Sequence, residues 1–75
     1  MSKLPQLSAN EIIKIFEKFG FRVIRQSGSH VFLRHEDRRT TVVPNHPGRN
    51  VDSRLLNKIL KHDVKIDREE FMKYV

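Results

Sequence analysis

The chain is 75 residues long and has no cysteine, so no disulfide can stabilise it and no thiolate can bind a metal. Fifteen lysines and arginines against nine aspartates and glutamates give a formal net charge of +6 and a pI near 10.2. No apolar run approaches the roughly 18 residues of a membrane span, and no signal-peptide core follows the first residues. We therefore expect one domain, residues 1–75, located in the cytoplasm. The basic surface favours a nucleic-acid phosphate backbone as the partner, with an acidic protein as the second candidate and an anionic membrane as the third.

A capped amphipathic helix is predicted near the start of the chain. Ser8 and Glu11 have the spacing of a capping box, in which each side chain binds the backbone amide of the other residue. Apolar side chains then recur at helical spacing, at Ile12, Ile13, Ile15, Phe16 and Phe19. Gly20 suits the left-handed residue that often ends a helix. Together these signals predict a helix over residues 9–19.

Three short strands connected by tight turns are predicted next. The strands are expected at Phe21–Gln26, His30–His35 and Thr40–Val43. Pro44 ends the third strand because proline has no amide hydrogen for a neighbouring strand. The connections, 27–29 and 36–39, are short enough to predict an antiparallel meander.

A second helix is predicted after a loop of turn-forming residues, Asn45–Asn50, and Asp52 is expected to cap it. Its apolar face is predicted at Leu55, Leu56, Ile59 and Leu60. Its other face carries a basic stripe at positions i, i+4 and i+7, formed by Arg54, Lys58 and Lys61. A short final helix is predicted from Asp67, and it carries Phe71 and Tyr74.

The predicted order of elements is α-β-β-β-α with a short C-terminal helix, which places the chain in the α+β class. A three-stranded antiparallel sheet needs an apolar cover on one face, and two amphipathic helices can supply it. The other face of the sheet is then open to solvent or to a ligand.

The second strand carries the residues most suggestive of function. Because side chains alternate along a strand, Val31 and Leu33 point to one face while His30, Phe32 and Arg34 point to the other. A phenyl ring can stack on a base, a guanidinium can pair with phosphate and an imidazole can transfer a proton, so this row suits RNA. The structural alternative is that Phe32 belongs to the core and His30 is an ordinary strand-edge residue.

RNA cleavage needs little beyond proton transfer, because the 2′-hydroxyl beside the scissile phosphate is the nucleophile. Histidine is the side chain best suited to proton transfer near neutral pH, so His30 is the candidate general base or acid. Gly28 and Ser29 can bring amides or a hydroxyl close to the phosphate. The second proton-transfer group stays open between His46, a water molecule and Arg34.

Metal binding and helix-mediated RNA binding are two further possibilities. The four histidines, His30, His35, His46 and His62, match no compact zinc spacing, so we expect no metal. The basic stripe on the second helix is typical of double-stranded RNA binding, although an amphipathic helix also needs polar residues on its outer face.

Several segments together resemble a known family. They are Gly20-Phe21, Ser27–Phe32, Val43–His46 and Leu55–Leu60, following the capped first helix. In this order they resemble the HicA toxins, also called the YcfA-like family, over nearly the whole chain.

This resemblance implies a toxin of a type II toxin–antitoxin system with a double-stranded-RNA-binding-domain-like fold. Such toxins cleave mRNA without a metal or other cofactor, and a HicB antitoxin binds the toxin and covers its active site. The family's catalytic histidine falls on His30, and the glycine before it falls on Gly28. The family does not fix a second catalytic group, so His46 remains a candidate.

Two other functions remain open from the sequence. A non-catalytic module that binds double-stranded RNA would need only the fold and the basic stripe, whereas Gly28–His30 favours catalysis. A protein whose basic surface meets an acidic partner is compatible with a toxin, because an antitoxin can occupy the surface that RNA uses.

Overall fold

The computed structural model describes residues 4–75 and contains one three-stranded sheet, one two-stranded ribbon and four helical segments. In chain order the elements are β1 (Leu7–Ser8), α1 (Ala9–Lys18), β2 (Phe21–Ser27), β3 (His30–His35), β4 (Thr40–Pro44), β5 (Asn50–Val51), α2 (Ser53–Lys58), a π-helical turn (Ile59–Asp63) and α3 (Arg68–Met72). The predicted α+β class and the α-β-β-β-α order of the longer elements are confirmed. Residues 1–3 of the predicted domain lie outside the described range. None of the helices in residues 4–75 has the length and apolar character needed to cross a bilayer.

Helix α1 begins as its sequence predicts and ends one residue earlier. The Ser8 hydroxyl accepts a hydrogen bond from the Glu11 amide (3.2 Å), and the Ser8 amide donates to the Glu11 carboxylate (2.9 Å). The hydrogen bond from the Ser8 amide, and then the interaction with the Ser8 hydroxyl, lower the pKa of the Glu11 carboxyl. Gly20 follows the helix at φ +98°, and a Cβ atom there would lie 2.8 Å from the His35 ring. Both the backbone angle and the close approach therefore require glycine.

The sheet has the order β2-β3-β4, with every pair antiparallel and β3 in the centre. Val31 and Leu33 of β3 are buried, whereas His30 and Arg34 are exposed, which confirms the predicted alternation. Val43 of β4 is buried beside Val31. We call the side that carries Val31, Leu33 and Val43 the inner face.

Three phenylalanine rings from different elements occupy the centre of the core. Phe16 of α1 lies 5.9 Å from Phe21 of β2 and 5.9 Å from Phe71 of α3, measured between ring centroids. All three side chains are fully buried. They belong to one apolar cluster with the inner face, so the helices and the sheet share a single core.

The ribbon of β1 and β5 was not predicted. Leu7 pairs with Val51 and Ser8 pairs with Asn50, so the end of the predicted Asn45–Asn50 loop is a strand residue. Two-residue strands are too short to show an alternating pattern, and their pairing joins residues far apart in the chain. Leu7 and Val51 are both buried, which explains the pairing in the folded protein.

The second helix differs from the prediction in two respects. Asp52 caps it, accepting from the Arg54 amide (2.9 Å), but the α-helix ends at Lys58 and a π-helical turn follows. Leu55, predicted in the apolar face, is 36% exposed, because it lies about 100° around the helix from the buried Leu56. The predicted partners Ile59 and Leu60 are buried, as expected.

The last helix is shorter than its sequence suggests. Asp67 precedes α3, but its side chain makes no capping hydrogen bond within residues 4–75. Phe71 lies on this helix as predicted and is buried in the core, whereas Tyr74 follows the helix and is 46% exposed. The Tyr74 ring packs edge-on against Phe19, 5.1 Å between centroids.

Candidate functional site

The face of the sheet opposite the core is formed by three cross-strand rows. The first row is Ser27, His30 and Pro44, the second is Arg25, Phe32 and Val42, and the third is Arg22, Arg34 and Thr40. We call these nine residues the open face. The row predicted from β3, His30, Phe32 and Arg34, runs along its centre.

His30 lies at one end of the open face, directly after the turn that joins β2 to β3. Its side chain is exposed, and within residues 4–75 its imidazole has no hydrogen-bond or ion-pair partner. In the two-residue turn, Gly28 has φ +58° and Ser29 does not share a positive φ, which is the type II′ arrangement that favours glycine first. A Cβ atom at Gly28 would meet nothing within 4 Å, so the space beside the turn is free for a ligand.

The loop that carries His46 starts beside this turn. Pro44 is the cross-strand partner of His30, and the Asn45 amide donates to the Ser29 carbonyl at 2.6 Å. His46 follows and is exposed, and its carbonyl accepts from the Arg49 amide (3.0 Å). The backbone therefore brings the two candidate proton-transfer residues to the same end of the sheet.

A β-bulge in β2 determines what covers Phe32. Val23 pairs with Leu33 and Arg25 pairs with Phe32, so Ile24 is an extra residue between two regular pairs. The bulge brings Arg25 to the open face, where its guanidinium carbon lies 4.4 Å from the centroid of the half-buried Phe32 ring. The stacked pair presents a planar cationic surface on which a base can stack.

The bulge also explains why the sequence did not predict Arg25 as a residue of the candidate site. Val23 and Ile24 are adjacent apolar residues, and their faces were not fixed by alternation. Their exposed fractions are 42% and 52%, because β2 lies at the edge of the sheet. No local signal marks the extra residue.

Arginines cluster at the other end of the open face. A shallow hollow there is lined by Arg22, Arg34 and Arg38, together with Val23, Ile24, His35, Glu36 and Thr40. We call the three arginines with this hollow the arginine hollow. Arg22 and Arg38 were not predicted as site residues, because Arg22 reaches the hollow through strand pairing and Arg38 through a turn.

Arg38 has an unusual backbone conformation. The His35 carbonyl accepts from the Arg38 amide, and the His35 amide donates to the Arg39 carbonyl, both at 2.9 Å. This is a three-residue hairpin loop whose last residue is left-handed, a position where glycine is usual. Arg38 occupies it at φ +79°, at a cost of about 1–2 kcal/mol for a residue with a Cβ atom.

Arg39, the next residue, has a structural role. Its guanidinium donates to the Asp37 carboxylate (2.8 Å) and to the Val64 carbonyl, and it lies over the Phe21 ring. The hydrogen bonds from the Arg39 side chain and then from its amide lower the pKa of the Asp37 carboxyl. His35 accepts from the Asp37 amide (3.1 Å) and packs against Phe21, and it also lines the arginine hollow. Of the two β3 histidines, only His30 belongs to the cross-strand rows of the open face.

A protein-family model matches most of the chain. The family model for the HicA toxins of bacterial toxin–antitoxin systems matches residues 9–63. The chain belongs to the HicA toxin family. A comparison with curated proteins finds no match.

The HicA match includes the whole open face and the π-helical turn, and it ends before α3. Membership makes this protein the toxin of a toxin–antitoxin pair, which implies an antitoxin partner. The family assignment confirms the resemblance drawn from the motifs around Gly28–His30.

The basic stripe of this HicA protein lies away from His30. Leu56, Ile59 and Leu60 pack into the core under the inner face, so the exposed stripe points outward from the helical layer. The π-helical turn also takes Lys61 off the line through Arg54 and Lys58, because more residues make up each turn. The predicted RNA-binding residues therefore form two separate surfaces.

Metal ligands do not converge in the described part of the chain. Among residues 4–75, no three histidine, aspartate or glutamate side chains are placed to hold a metal ion.

Proposed function

We propose that this HicA toxin is a metal-independent endoribonuclease that cleaves mRNA on the open face, with His30 as the residue that transfers a proton. The observation that carries the proposal is the exposed His30 imidazole, which has no partner within residues 4–75 and shares its face with a stacked Arg25–Phe32 pair. An exposed imidazole without a protein partner is available to exchange a proton with a bound substrate.

The reaction follows from the chemistry of RNA. His30 removes the proton of the 2′-hydroxyl, and the 2′-oxygen forms a bond to phosphorus as the bond from phosphorus to the 5′-oxygen breaks. A second group gives a proton to the departing 5′-oxygen, leaving a 2′,3′-cyclic phosphate and a 5′-hydroxyl. We assign this second group to His46, because its loop begins at the cross-strand partner of His30.

The remaining open-face residues bind the substrate in this proposal. The Gly28–Ser29 turn faces the scissile phosphate, Phe32 with Arg25 stacks a base, and Arg34 pairs with the backbone. Arg54, Lys58 and Lys61 contact a more distant part of a long transcript from the helical layer. The positive net charge attracts the RNA in a salt-dependent manner.

A HicB-type antitoxin is the proposed partner, and the cytoplasm, where mRNA is translated, is the proposed place of action. Family membership supports an antitoxin partner. Covering the open face would exclude RNA from His30 and stop cleavage.

Binding of double-stranded RNA without cleavage is the second candidate function, and the exposed stripe of α2 is the observation that favours it. Under that function, Lys58→Ala weakens RNA binding and lowers its salt dependence, while no RNA becomes shorter in any variant.

The proposed function is tested by inducing wild type, His30→Ala and His62→Ala in bacteria and following growth and transcript length. His62 is an exposed histidine of the π-helical turn in the helical layer, so it controls for loss of an imidazole. We expect growth arrest and shortened transcripts with wild type and His62→Ala, and neither with His30→Ala. With purified protein, cleavage should continue in EDTA. Arrest and shortened transcripts with His30→Ala would reject the proposal.

A further inference from the structure

We propose that the arginine hollow binds a backbone phosphate of the same RNA strand whose scissile phosphate lies at His30. The inference rests on the proposed function, because it extends the substrate path from that residue. It assigns a second phosphate site to Arg22, Arg34 and Arg38, at the opposite end of the open face.

The geometry of the hollow suits an anion. Arg22 and Arg34 are cross-strand partners, and Arg38 reaches the same hollow from the turn between β3 and β4. Glu36 is the single acidic residue among the described lining residues. Within residues 4–75 none of the three arginines has a carboxylate partner, whereas the neighbouring Arg39 is paired with Asp37. Guanidinium groups left unpaired by the fold are available for the planar, charge-assisted hydrogen bonds that phosphate accepts.

The backbone of Arg38 gives a second, independent indication. Its φ of +79° places an arginine where the hairpin favours glycine. Residues held in such sparsely populated backbone conformations cluster at active sites and ligand-binding sites. In the hollow, that side chain supplies one of three positive charges.

The distance between the two ends fits a continuous strand. Arg34 follows His30 by four residues of β3, which is roughly 13 Å at about 3.3 Å per residue. The Arg25–Phe32 pair lies between them and offers a stacking surface. Alternating phosphate, base and phosphate sites on one face match a single-stranded nucleic acid better than an acidic peptide, which has no use for the stacking surface.

The test uses Arg38→Gly, with Lys65→Gly as the matched control. Lys65 has φ +52° and lines a hollow in the helical layer, so its replacement removes the same charge and the same left-handed side chain away from the open face. Because both changes relieve backbone strain, both variants should unfold at a higher temperature, by about 4 °C. A loss of RNA binding by Arg38→Gly would then not reflect damage to the fold.

Binding is measured with RNA whose cleavage site carries a 2′-O-methyl group, in a series lengthened by one nucleotide at a time on either side. We expect Arg38→Gly to bind the longer oligonucleotides about tenfold more weakly and to lower the salt slope by about one. Lys65→Gly should bind them like wild type. On a cleavable dinucleotide, which is too short to reach the hollow, all three proteins should have equal kcat/KM.

Failure of this inference is distinguishable from failure of the proposed function. The inference is overturned when wild type cleaves RNA but Arg38→Gly binds every length like wild type, or loses the same factor on the dinucleotide. It is also overturned when Arg38→Gly weakens only binding of the antitoxin, which would assign the hollow to a protein partner. The proposed function fails separately when RNA is bound with the expected dependence on Arg38 but no variant cuts it.

Discussion

Polar side chains have different roles on the two sides of the β2-β3-β4 sheet. Towards the core, the buried Thr41 hydroxyl donates to the Asp63 carboxylate (2.9 Å), and Arg39 binds both Asp37 and the Val64 carbonyl. On the open face, Arg22 and Arg34 have no carboxylate partner within residues 4–75. One side uses its polar groups to hold elements together, and the other leaves its charges available to a ligand.

Arg38 and Arg39 show the same difference at adjacent positions. Arg39 is 27% exposed and fixed by three kinds of contact, while Arg38 adopts an unfavourable backbone angle without a carboxylate partner in the described chain. Stability therefore depends on the inner face and its extension through Arg39, and RNA binding is expected to depend on the open face. Replacements on the two sides should separate these properties.

The largest effect on stability is expected from the central phenylalanines. Phe16→Ala removes a fully buried ring that packs against two others, and should lower the free energy of unfolding by about 3–5 kcal/mol. Phe32→Ala, on the half-buried open-face ring, should cost about 1 kcal/mol in stability and weaken RNA binding by about 1–3 kcal/mol. Urea denaturation and RNA titration measure the two quantities. Equal losses of stability in Phe16→Ala and Phe32→Ala would contradict this difference between the core and the open face.

A smaller effect is expected from the two classes of arginine. Arg39→Met leaves the Val64 carbonyl without its donor and removes the pairing with Asp37. The free energy of unfolding should therefore fall by about 1–3 kcal/mol. Arg34→Met, its control on the open face, should change stability by less than about 0.5 kcal/mol while weakening RNA binding. Thermal unfolding measures the stability of both variants. A larger loss of stability in Arg34→Met than in Arg39→Met would show that the open face is structural.

The bulge in β2 can be removed in two ways that separate register from strand length. Deleting Ile24 leaves Val23 opposite Leu33 and Arg25 opposite Phe32 in regular alternation, so RNA binding should change less than about threefold. Deleting Gln26 gives a strand of the same length but places Ile24 opposite Phe32. That variant should lose the stacking contribution of Arg25, about 0.5–1 kcal/mol or more. RNA titrations of the two proteins should therefore differ, and indistinguishable affinities would argue against a role for the stacked pair.

The smallest expected effect concerns acid stability. Because the pKa of Asp37 is lowered in the folded protein, its carboxylate stabilises the fold above its unfolded value of 3.8, and this contribution is lost as the pH falls through the lower folded value. Asp37→Asn should reduce stability at neutral pH and give a shallower decline below about pH 4. Denaturation at several pH values measures the slope. An unchanged acid slope would show that the pairing of Asp37 with Arg39 does not contribute to stability.

Local rules account for the parts of the fold that the sequence predicted. The capping box depends on two residues three apart, and the division of β3 into buried and exposed side chains depends on alternation within one strand. This alternation placed His30, Phe32 and Arg34 together on the open face. The HicA motifs then supplied the role of the toxin.

The features that the sequence did not predict depend on pairing between distant residues. The β1–β5 ribbon, the arrival of Arg25 beside Phe32 and the meeting of Arg22 with Arg34 are set by register, which no short segment encodes. The change to a π-helical turn after Lys58 similarly follows no pattern of apolar residues that we identified. The separation of the basic stripe from His30 is a consequence of how the layers pack.

The rate of RNA cleavage by purified His30→Ala, measured beside its affinity for the same RNA, tests the role of the open face most directly. Since a positioned proton-transfer group contributes about 10²–10⁴-fold, cleavage should fall by that factor, while affinity stays within about threefold of wild type and the unfolding temperature is unchanged. Cleavage at the wild-type rate by a folded His30→Ala protein would contradict the account.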